Sequence, residues 1–359
     1  MPSLTRSPAD AVESVVVPSP IDEDRDSGGQ GSGSRRQSAW AVLASYVVIV
    51  FFLVTLNFFL PRALPGKPIQ ALSNPQSTTY VGYTPTRSAV ERYYGLDRPL
   101  LTQYFDYLKG LAHGNLGTSI EYNTPVTSVL LSRLPWTLLL IGTSLILATA
   151  IGMLAGIRSG WRRGSREDRR LIALFVATDN FPAFFLAFVV LYVFVIKLGW
   201  FPLAGAQTPF SGSFGLLHKV TDVAYHLVLP AGVLVLQFTA YQYLVMRASM
   251  VGELGSDYML LGRAKGLSDH VLKYRYAARN ALLPAITVAT LQIGWSVVAA
   301  IFIETVFNYP GIGRLMFDSI GVRDYPTLQG CFLMLSLLVV TANRLADLLY
   351  RRLDPRIAA

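Results

Sequence analysis

The chain has 359 residues, of which 52% are hydrophobic and only 15% charged, and its mean hydropathy of +0.42 excludes an ordinary soluble protein. Its single cysteine, Cys331, excludes an internal disulfide and a metal cluster held by cysteines alone. The net charge of +9 comes mainly from arginines that lie between the predicted membrane spans, so it does not indicate nucleic-acid binding.

Residues 1–37 differ from the rest because they are rich in Ser, Gly, Pro and acidic residues and poor in apolar ones. A segment of this composition cannot form a core, so we expect a disordered tail in the cytoplasm. The apolar run that begins at residue 39 is too long, and starts too late, for a removable signal peptide. It predicts a retained first span, so that residues 38–359 form the membrane domain.

Six apolar segments reach the roughly 20 residues that a helix needs to cross about 30 Å of hydrocarbon. They cover residues 39–60, 135–157, 171–196, 227–248, 283–306 and 327–350. These segments predict an all-α polytopic membrane protein with six transmembrane helices.

The distribution of arginine and lysine predicts the orientation of the spans. The loop after the second span holds six arginines, and the segment from Arg247 to Asn280 holds six basic residues, whereas the loops at 197–226 and 307–326 hold two each. Basic loops stay in the cytoplasm, so both termini are predicted to be cytoplasmic.

The loop at 61–134 is then extracytoplasmic, and its length predicts structure of its own. The stretch SAVERYYGLDRPLLTQYFDYLKGLAHGNLG has apolar and aromatic residues at helical spacing, with Gly95 and Gly110 as candidate stops. We expect two short helices on the outer face.

The polar loop at 249–282, between spans four and five, contains the stretch DYMLLGRAKGLSDHVLKYRYAARNALLPA. Ser256 is a candidate N-cap, Asp257 suits the first turn of a helix, and Gly266 is a candidate stop. Ser268 then begins a second helix, which runs until Pro284 marks the return to the membrane. This charge pattern fits equally a basic elbow on anionic lipid and a docking element for a partner.

The same stretch resembles the cytoplasmic loop of binding-protein-dependent ABC importer permeases, in which a glycine follows a short helix and a Leu-Pro pair follows at a set distance. The sequence Gly-Arg-Ala-Lys-Gly-Leu at 262–267 is similar to the Ala-Arg-Ala-Lys-Gly-Leu core of the dipeptide/oligopeptide/nickel branch. The Glu-Ala-Ala start of the wider superfamily is absent, which fits this branch.

The resemblance extends from about residue 93 to the end of the chain. It includes GLDRPLLTQYFDYLKGLAHGNLGTSI, PVTSVLLSRLPWTLLL, FPAFFLAFVVLYVFVIKLGWFPLAG, ETVFNYPGIGRLMFDSIGVRDYPTLQG and LDPRI, in the family's order. It implies the type I ABC importer permease fold in the inner (cytoplasmic) membrane.

The resemblance also implies partners and a coupling element. The implied partners are a second homologous permease, two ATP-binding subunits and an extracytoplasmic peptide-binding protein. No phosphate-cradling Gly-x-x-x-x-Gly-Lys-Ser/Thr loop occurs in the sequence, so ATP and Mg²⁺ are expected on the partners and no cofactor or metal on this chain. The residues implied to contact the ATPase are Asp257, Tyr258, Leu261, Arg263, Ala264, Lys265, Gly266 and Leu267.

Polar residues within the predicted spans are candidates for a translocation path, because such residues are costly in lipid. Asp179 and Asn180 directly precede Phe181-Pro182. The alternative to a path role is that Asp179 pairs with an arginine of the 158–170 loop or with a neighbouring helix. In span four, Gln237 and Tyr241 are candidates, together with Gln242 and Tyr243.

Glu304, near the outer end of span five, has two interpretations. It can belong to an outer gate, or it can cap the segment that follows it, and we favour the structural role.

The sequence therefore predicts a permease subunit without ATPase activity of its own that imports di- or oligopeptides. The alternatives are nickel, glutathione or an oligosaccharide on the same architecture, or a channel or secondary transporter outside the ABC class. A membrane-bound enzyme is a further alternative, but the four histidines are scattered along the chain.

Overall fold

The computed structural model describes residues 39–63, 95, 97–211 and 215–353, with backbone alone at 39–43, 45–46 and 345–353. The predicted tail at 1–37 and most of the first half of the outer loop lie outside the described residues. The chain divides into two compact units, Met1–Val48 and Ile49–Ala359, and every contact reported below lies within the second.

The described residues form helices and no strand. The helices are α1 (Ala39–Ala63), α2 (Leu100–Ala112), α3 (Val126–Trp161), α4 (Arg166–Asp179), α5 (Ala183–Lys197), α6 (Leu216–Glu253), α7 (Asp257–Ala264), α8 (Asp269–Val306), α9 (Ile312–Val322) and α10 (Tyr325–Leu353).

These helices confirm the all-α prediction. Helices α3, α6, α8 and the described part of α10 are each long and apolar enough to cross a membrane, and α4 and α5 pass the same test as a pair. The first predicted span is the helix α1, which is 25 residues long. With α4 and α5 counted as one span, the described residues hold five candidate spans, and α1 lies where the first of the six was predicted.

The third predicted span is not one straight helix. α4 and α5 meet at an angle of 100°. The break falls at Pro182, whose nitrogen cannot donate to the preceding turn and whose ring disfavours helical geometry at Phe181. Because the apolar composition continues across the break, hydropathy alone did not reveal it.

Two predicted helix boundaries are also wrong. Pro284 does not mark a boundary, because α8 runs through it from Asp269 to Val306. Buried Ala281 and Ala285 pack on either side of this proline, so tertiary packing outweighs its local cost. Gly110 does not stop α2, which continues to Ala112, and Gly114 adopts the positive φ of +72° beyond its end.

A stripe of glycines brings α3 against α6. A Cβ atom added at Gly152, Gly156 or Gly160 would lie 2.6–2.8 Å from the Cβ atom of Gln242, Met246 or Met250, respectively. Small residues spaced by four let two membrane helices approach to backbone contact. The helices α3 and α6 are therefore the central pair of the membrane domain.

Candidate coupling segment and translocation path

Helix α7 has one buried face and one exposed face. Met259 is fully buried and Gly262 is buried, whereas the side chains of Leu260 and Leu261 are 70% and 55% exposed. The predicted contact residues Asp257, Arg263, Ala264 and Lys265 are exposed as well. An eight-residue helix thus presents leucines and charges away from the chain, a combination that suits a protein partner.

The end of α7 confirms Gly266 as the stop. Gly266 has a φ of +72°, its N–H donates to the carbonyl of Arg263 at 2.9 Å, and the N–H of Leu267 donates to the carbonyl of Gly262 at 3.2 Å. These are the two hydrogen bonds of a Schellman cap. A Cβ atom at Gly262 would lie 2.6 Å from the side chain of Leu272, so a glycine there lets α8 pack onto α7.

The start of α7 corrects the prediction for Ser256. This residue has the extended backbone of an N-cap, but its side chain accepts no capping hydrogen bond. Its hydroxyl donates instead to the carbonyl of Glu253 at 2.6 Å, because that carbonyl at the end of α6 lacks a partner within its own helix.

A buried cluster joins α7 to α6 and α8. Met246 and Met250 of α6, Met259 of α7 and Leu272 of α8 all belong to it, and each is at most 1% exposed. Tyr258 is half-buried and its hydroxyl donates to the carboxylate of Glu253. The segment is therefore fixed at both ends, as a rigid connection requires.

Sequence periodicity did not reveal that α8 contains a π-helical stretch, Leu272–Ala277, directly after its first three residues. The inserted residue of a π-helix shifts the side chains that precede it relative to those that follow, and such segments are frequent at functional sites. Leu272 and Ala277, at the two ends of this stretch, are both buried in the cluster that holds α7.

Asp179 and Asn180 lie at the break between α4 and α5. Both are exposed, and the Asn180 side-chain amide donates to the carbonyl of Val176 at 2.6 Å. Within the described part of the chain no ion pair joins Asp179 to an arginine of the 158–170 loop. Arg158 and Arg162 pair instead with Glu167.

The candidates in α6 differ from one another in exposure. Tyr241 is 51% exposed, and Gln237 is half-buried with a side-chain oxygen that has no hydrogen-bond partner among the described residues. Gln242 and Tyr243 are fully buried, and the amide of Gln242 donates to the carbonyl of Ala285 at 2.8 Å. Gln242 and Tyr243 therefore belong to the packed interior of the chain.

Glu304 is fully buried and caps α9. Its carboxylate accepts hydrogen bonds from the hydroxyl of Thr137 at 2.7 Å and from the N–H groups of Gly313 and Arg314 at 2.7 and 3.2 Å. A carboxylate at a helix N-terminus satisfies free N–H groups and the helix dipole. A Cβ atom at Gly311 would lie 2.1 Å from this carboxylate, so the cap requires a glycine there.

The predicted path residues do not form one cluster. Asp179 and Asn180 lie at a helix break, Gln237 and Tyr241 on α6, and Glu304 inside the outer end of α8. No hydrogen bond or ion pair among the described residues joins these three places. The coupling residues, in contrast, lie on one continuous segment.

Sequence reasoning missed Asp168, because the loop that contains it was interpreted through its six arginines alone. It is 1% exposed, and its carboxylate accepts hydrogen bonds from Arg247 Nε and Nη2 at 2.6 and 2.8 Å. The signal that could have revealed it is an acidic residue directly before two arginines, where the third predicted span begins.

Comparisons with known proteins agree with this architecture. The family described as "Binding-protein-dependent transport system inner membrane component" matches residues 148–359. A protein of Brucella ovis, provisionally named as a peptide permease, is 39% identical over 307 residues, which cover 85% of this chain and 93% of that relative. The glutathione transport system permease protein GsiC of Escherichia coli K12 is 34% identical over 315 residues, 88% of this chain and 96% of that relative.

Among solved structures, a chain from a crystal structure of an amino acid ABC transporter with histidines covers 63% of this chain and 94% of its own length. Its TM-score is 0.45 and its sequence identity is 17%, a likeness too low to support a conclusion. The family match and the two relatives suffice without it. The chain belongs to the family of binding-protein-dependent transport system inner membrane components, and it is the permease component of an ABC importer in the inner membrane.

Proposed function

We propose that this permease imports di- or oligopeptides delivered by an extracytoplasmic binding protein, and that α7 with Gly266 and Leu267 transmits the action of an ATPase subunit. Membership of the family implies ATPase and binding-protein partners. In our proposal the complex holds this chain, a second homologous permease and two ATP-binding subunits, which bind the ATP and Mg²⁺.

The exposed face of α7 supports the coupling role. A helix that merely rested on lipid would direct its apolar face to the membrane and its charges to water. Here Met259 faces the chain's own core, while Leu261 and Arg263, two residues apart in sequence, are both exposed. The fixed attachment to α6 and α8 supports a rigid-body push rather than a loose contact.

The break between α4 and α5 supports a translocation path near Asp179 and Asn180. The last carbonyls of α4 have no intrahelical donors beyond the break, and exposed polar groups at membrane depth are costly unless they face water or protein. Tyr241 and Gln237 are the candidates on α6. For Glu304 we propose the structural role of a cap, with a gate as the alternative.

The names of the relatives support two substrates. The Brucella ovis relative is provisionally a peptide permease, and GsiC belongs to a glutathione transport system. Both names point to short chains of amino acids, so a peptide substrate is the common chemistry, and glutathione is the second candidate.

The experiment that tests this function is ATP hydrolysis by the complete complex in nanodiscs, with the binding protein present. The ligand arms are a pool of di- to pentapeptides, glutathione, Ni²⁺ and an oligosaccharide mixture. We expect the peptide pool to stimulate hydrolysis several-fold over the complex without ligand, because a loaded binding protein engages the permease differently from an empty one.

Stimulation by glutathione alone would replace the peptide proposal with its second candidate. Stimulation only by Ni²⁺ or by oligosaccharides would contradict both. Solute movement by the chain alone, without ATP, would contradict the assignment to an ATP-driven complex.

A further inference from the structure

One buried carboxylate ties three segments together at the cytoplasmic end of the membrane domain. Asp168 accepts two hydrogen bonds from Arg247, one from the hydroxyl of Ser159 and one from the N–H of Gly164 at 2.8 Å. The side chain of Asp168 is 2% exposed and that of Arg247 is 23% exposed. Ser159 lies on α3, Gly164 in the turn that follows, Asp168 on α4 and Arg247 on α6.

This pair differs from the ion pairs at the surface nearby. A two-pronged guanidinium–carboxylate contact fixes the relative orientation of both groups. Breaking a buried pair leaves a charge without compensation, whereas an exposed pair contributes little. Glu167, the neighbour of Asp168, pairs with Arg158 and Arg162 on an exposed surface, and so provides a natural comparison.

The residues packed around the Asp168–Arg247 pair connect it to α7 on one side and to α4 on the other. Arg247 lies between Met246 and Met250, which belong to the cluster that holds α7. Tyr243, one turn earlier on α6, is fully buried. Its hydroxyl forms a hydrogen bond of 2.6 Å with the hydroxyl of Ser159, and its ring packs on Phe175 of α4 with ring centroids 4.6 Å apart. A continuous set of contacts therefore runs from α7 through α6 to α4.

α4 ends at Asp179, at the 100° break before α5. A displacement of α7 that moves α6 reaches this break through α4 when α4 moves together with α6. Among the described residues, the Asp168–Arg247 pair is the salt bridge that joins those two helices.

We propose that Asp168 is a positioning residue for transport: through Arg247 it locks α4 to α6, so that movement of α7 reaches the α4–α5 break. This inference rests on the proposed coupling role of α7 and adds the element that carries the movement into the membrane. Loss of the lock leaves α7 attached to α6 through the methionine cluster, so ATP hydrolysis continues while solute movement stops.

The test compares Asp168→Asn and Arg247→Lys with the surface variant Glu167→Gln, each in the complete complex. The readout is the number of solute molecules transported per ATP hydrolysed, with a tritiated di- to pentapeptide pool and tritiated glutathione as parallel probes in proteoliposomes. We expect Asp168→Asn to lower this ratio about tenfold, and Arg247→Lys to lower it less, because lysine keeps the charge but not the two-pronged contact.

Glu167→Gln is expected to leave the ratio unchanged. A general structural defect lowers transport and hydrolysis in proportion, so an unchanged ratio in Asp168→Asn and Arg247→Lys overturns the inference. That result leaves the proposed function intact, because the unaltered complex then still couples hydrolysis to transport.

A second measurement tests the lock without transport. Spin labels at Arg170 on α4 and Ala248 on α6, both exposed, report the distance between the two helices in a chain that carries Cys331→Ala. We expect one narrow distance in the parent chain and a broad distribution after Asp168→Asn. Equal widths in both chains would show that Asp168 does not hold α4 to α6.

Discussion

Replacing Gly156 with leucine is expected to lower the stability of the folded membrane domain. A Cβ atom at this position lies 2.7 Å from the Cβ atom of Met246 and 3.0 Å from the backbone nitrogen of Arg247. Neither atom is the free end of a flexible side chain, so α3 and α6 must separate along the whole glycine stripe. Overpacking of this kind typically costs about 1–3 kcal/mol.

The matched control is Gly142→Leu on the same helix, where an added Cβ atom meets nothing within 4 Å. The measurement is the monodisperse fraction of detergent-purified protein after stepwise heating. We expect Gly156→Leu to lose this fraction at a temperature several degrees below that of the parent chain, and Gly142→Leu to remain close to it. Equal heat resistance of the two variants would show that the α3–α6 contact is not the centre of the fold.

The double substitution Gly266→Pro with Arg263→Glu is expected to abolish coupling to the ATPase. Proline cannot adopt the φ of +72° found at Gly266, and it removes the N–H that donates to the carbonyl of Arg263 at 2.9 Å. The glutamate places a negative charge at the C-terminal end of α7, where the helix dipole disfavours it. We expect hydrolysis stimulated by the binding protein to fall at least about tenfold, as at a protein interface that loses a central contact.

The control is Arg169→Glu, which reverses one exposed charge in the first turn of α4 and leaves α7 untouched. Copurification of the ATPase subunit shows whether the complex still assembles. If the segment were only a basic elbow on anionic lipid, both variants would weaken membrane-surface attraction alike and stimulation would survive in both.

Hydropathy and charge were sufficient to predict the helical class, because about 20 apolar residues in sequence have few alternatives to a membrane-spanning helix. They did not predict the break at Pro182, since proline also occurs inside unbroken helices of this chain at Pro135 and Pro230. Whether a proline breaks a helix depends on the packing of its neighbours. Single-sequence patterns do not contain that information.

The coupling segment was predictable because its signals are local. Gly266 ends α7 through a positive φ, a property of one residue and its neighbours. The contacts of Asp168 and Glu304 were not predictable, since their partners Arg247 and Thr137 lie 79 and 167 residues away in sequence. A buried carboxylate becomes visible only when the fold brings its donors together.

The central claim, that α7 docks against an ATPase subunit, is tested most directly by a photo-crosslinking amino acid in place of Leu261, whose side chain is 55% exposed. The same crosslinker at Phe210, which is 97% exposed in the loop between α5 and α6, is the comparison on the opposite side of the membrane. The account predicts an adduct with the ATPase subunit from position 261 and none from position 210. Adducts from position 261 with phospholipid alone would contradict the account and establish the segment as a lipid-surface elbow.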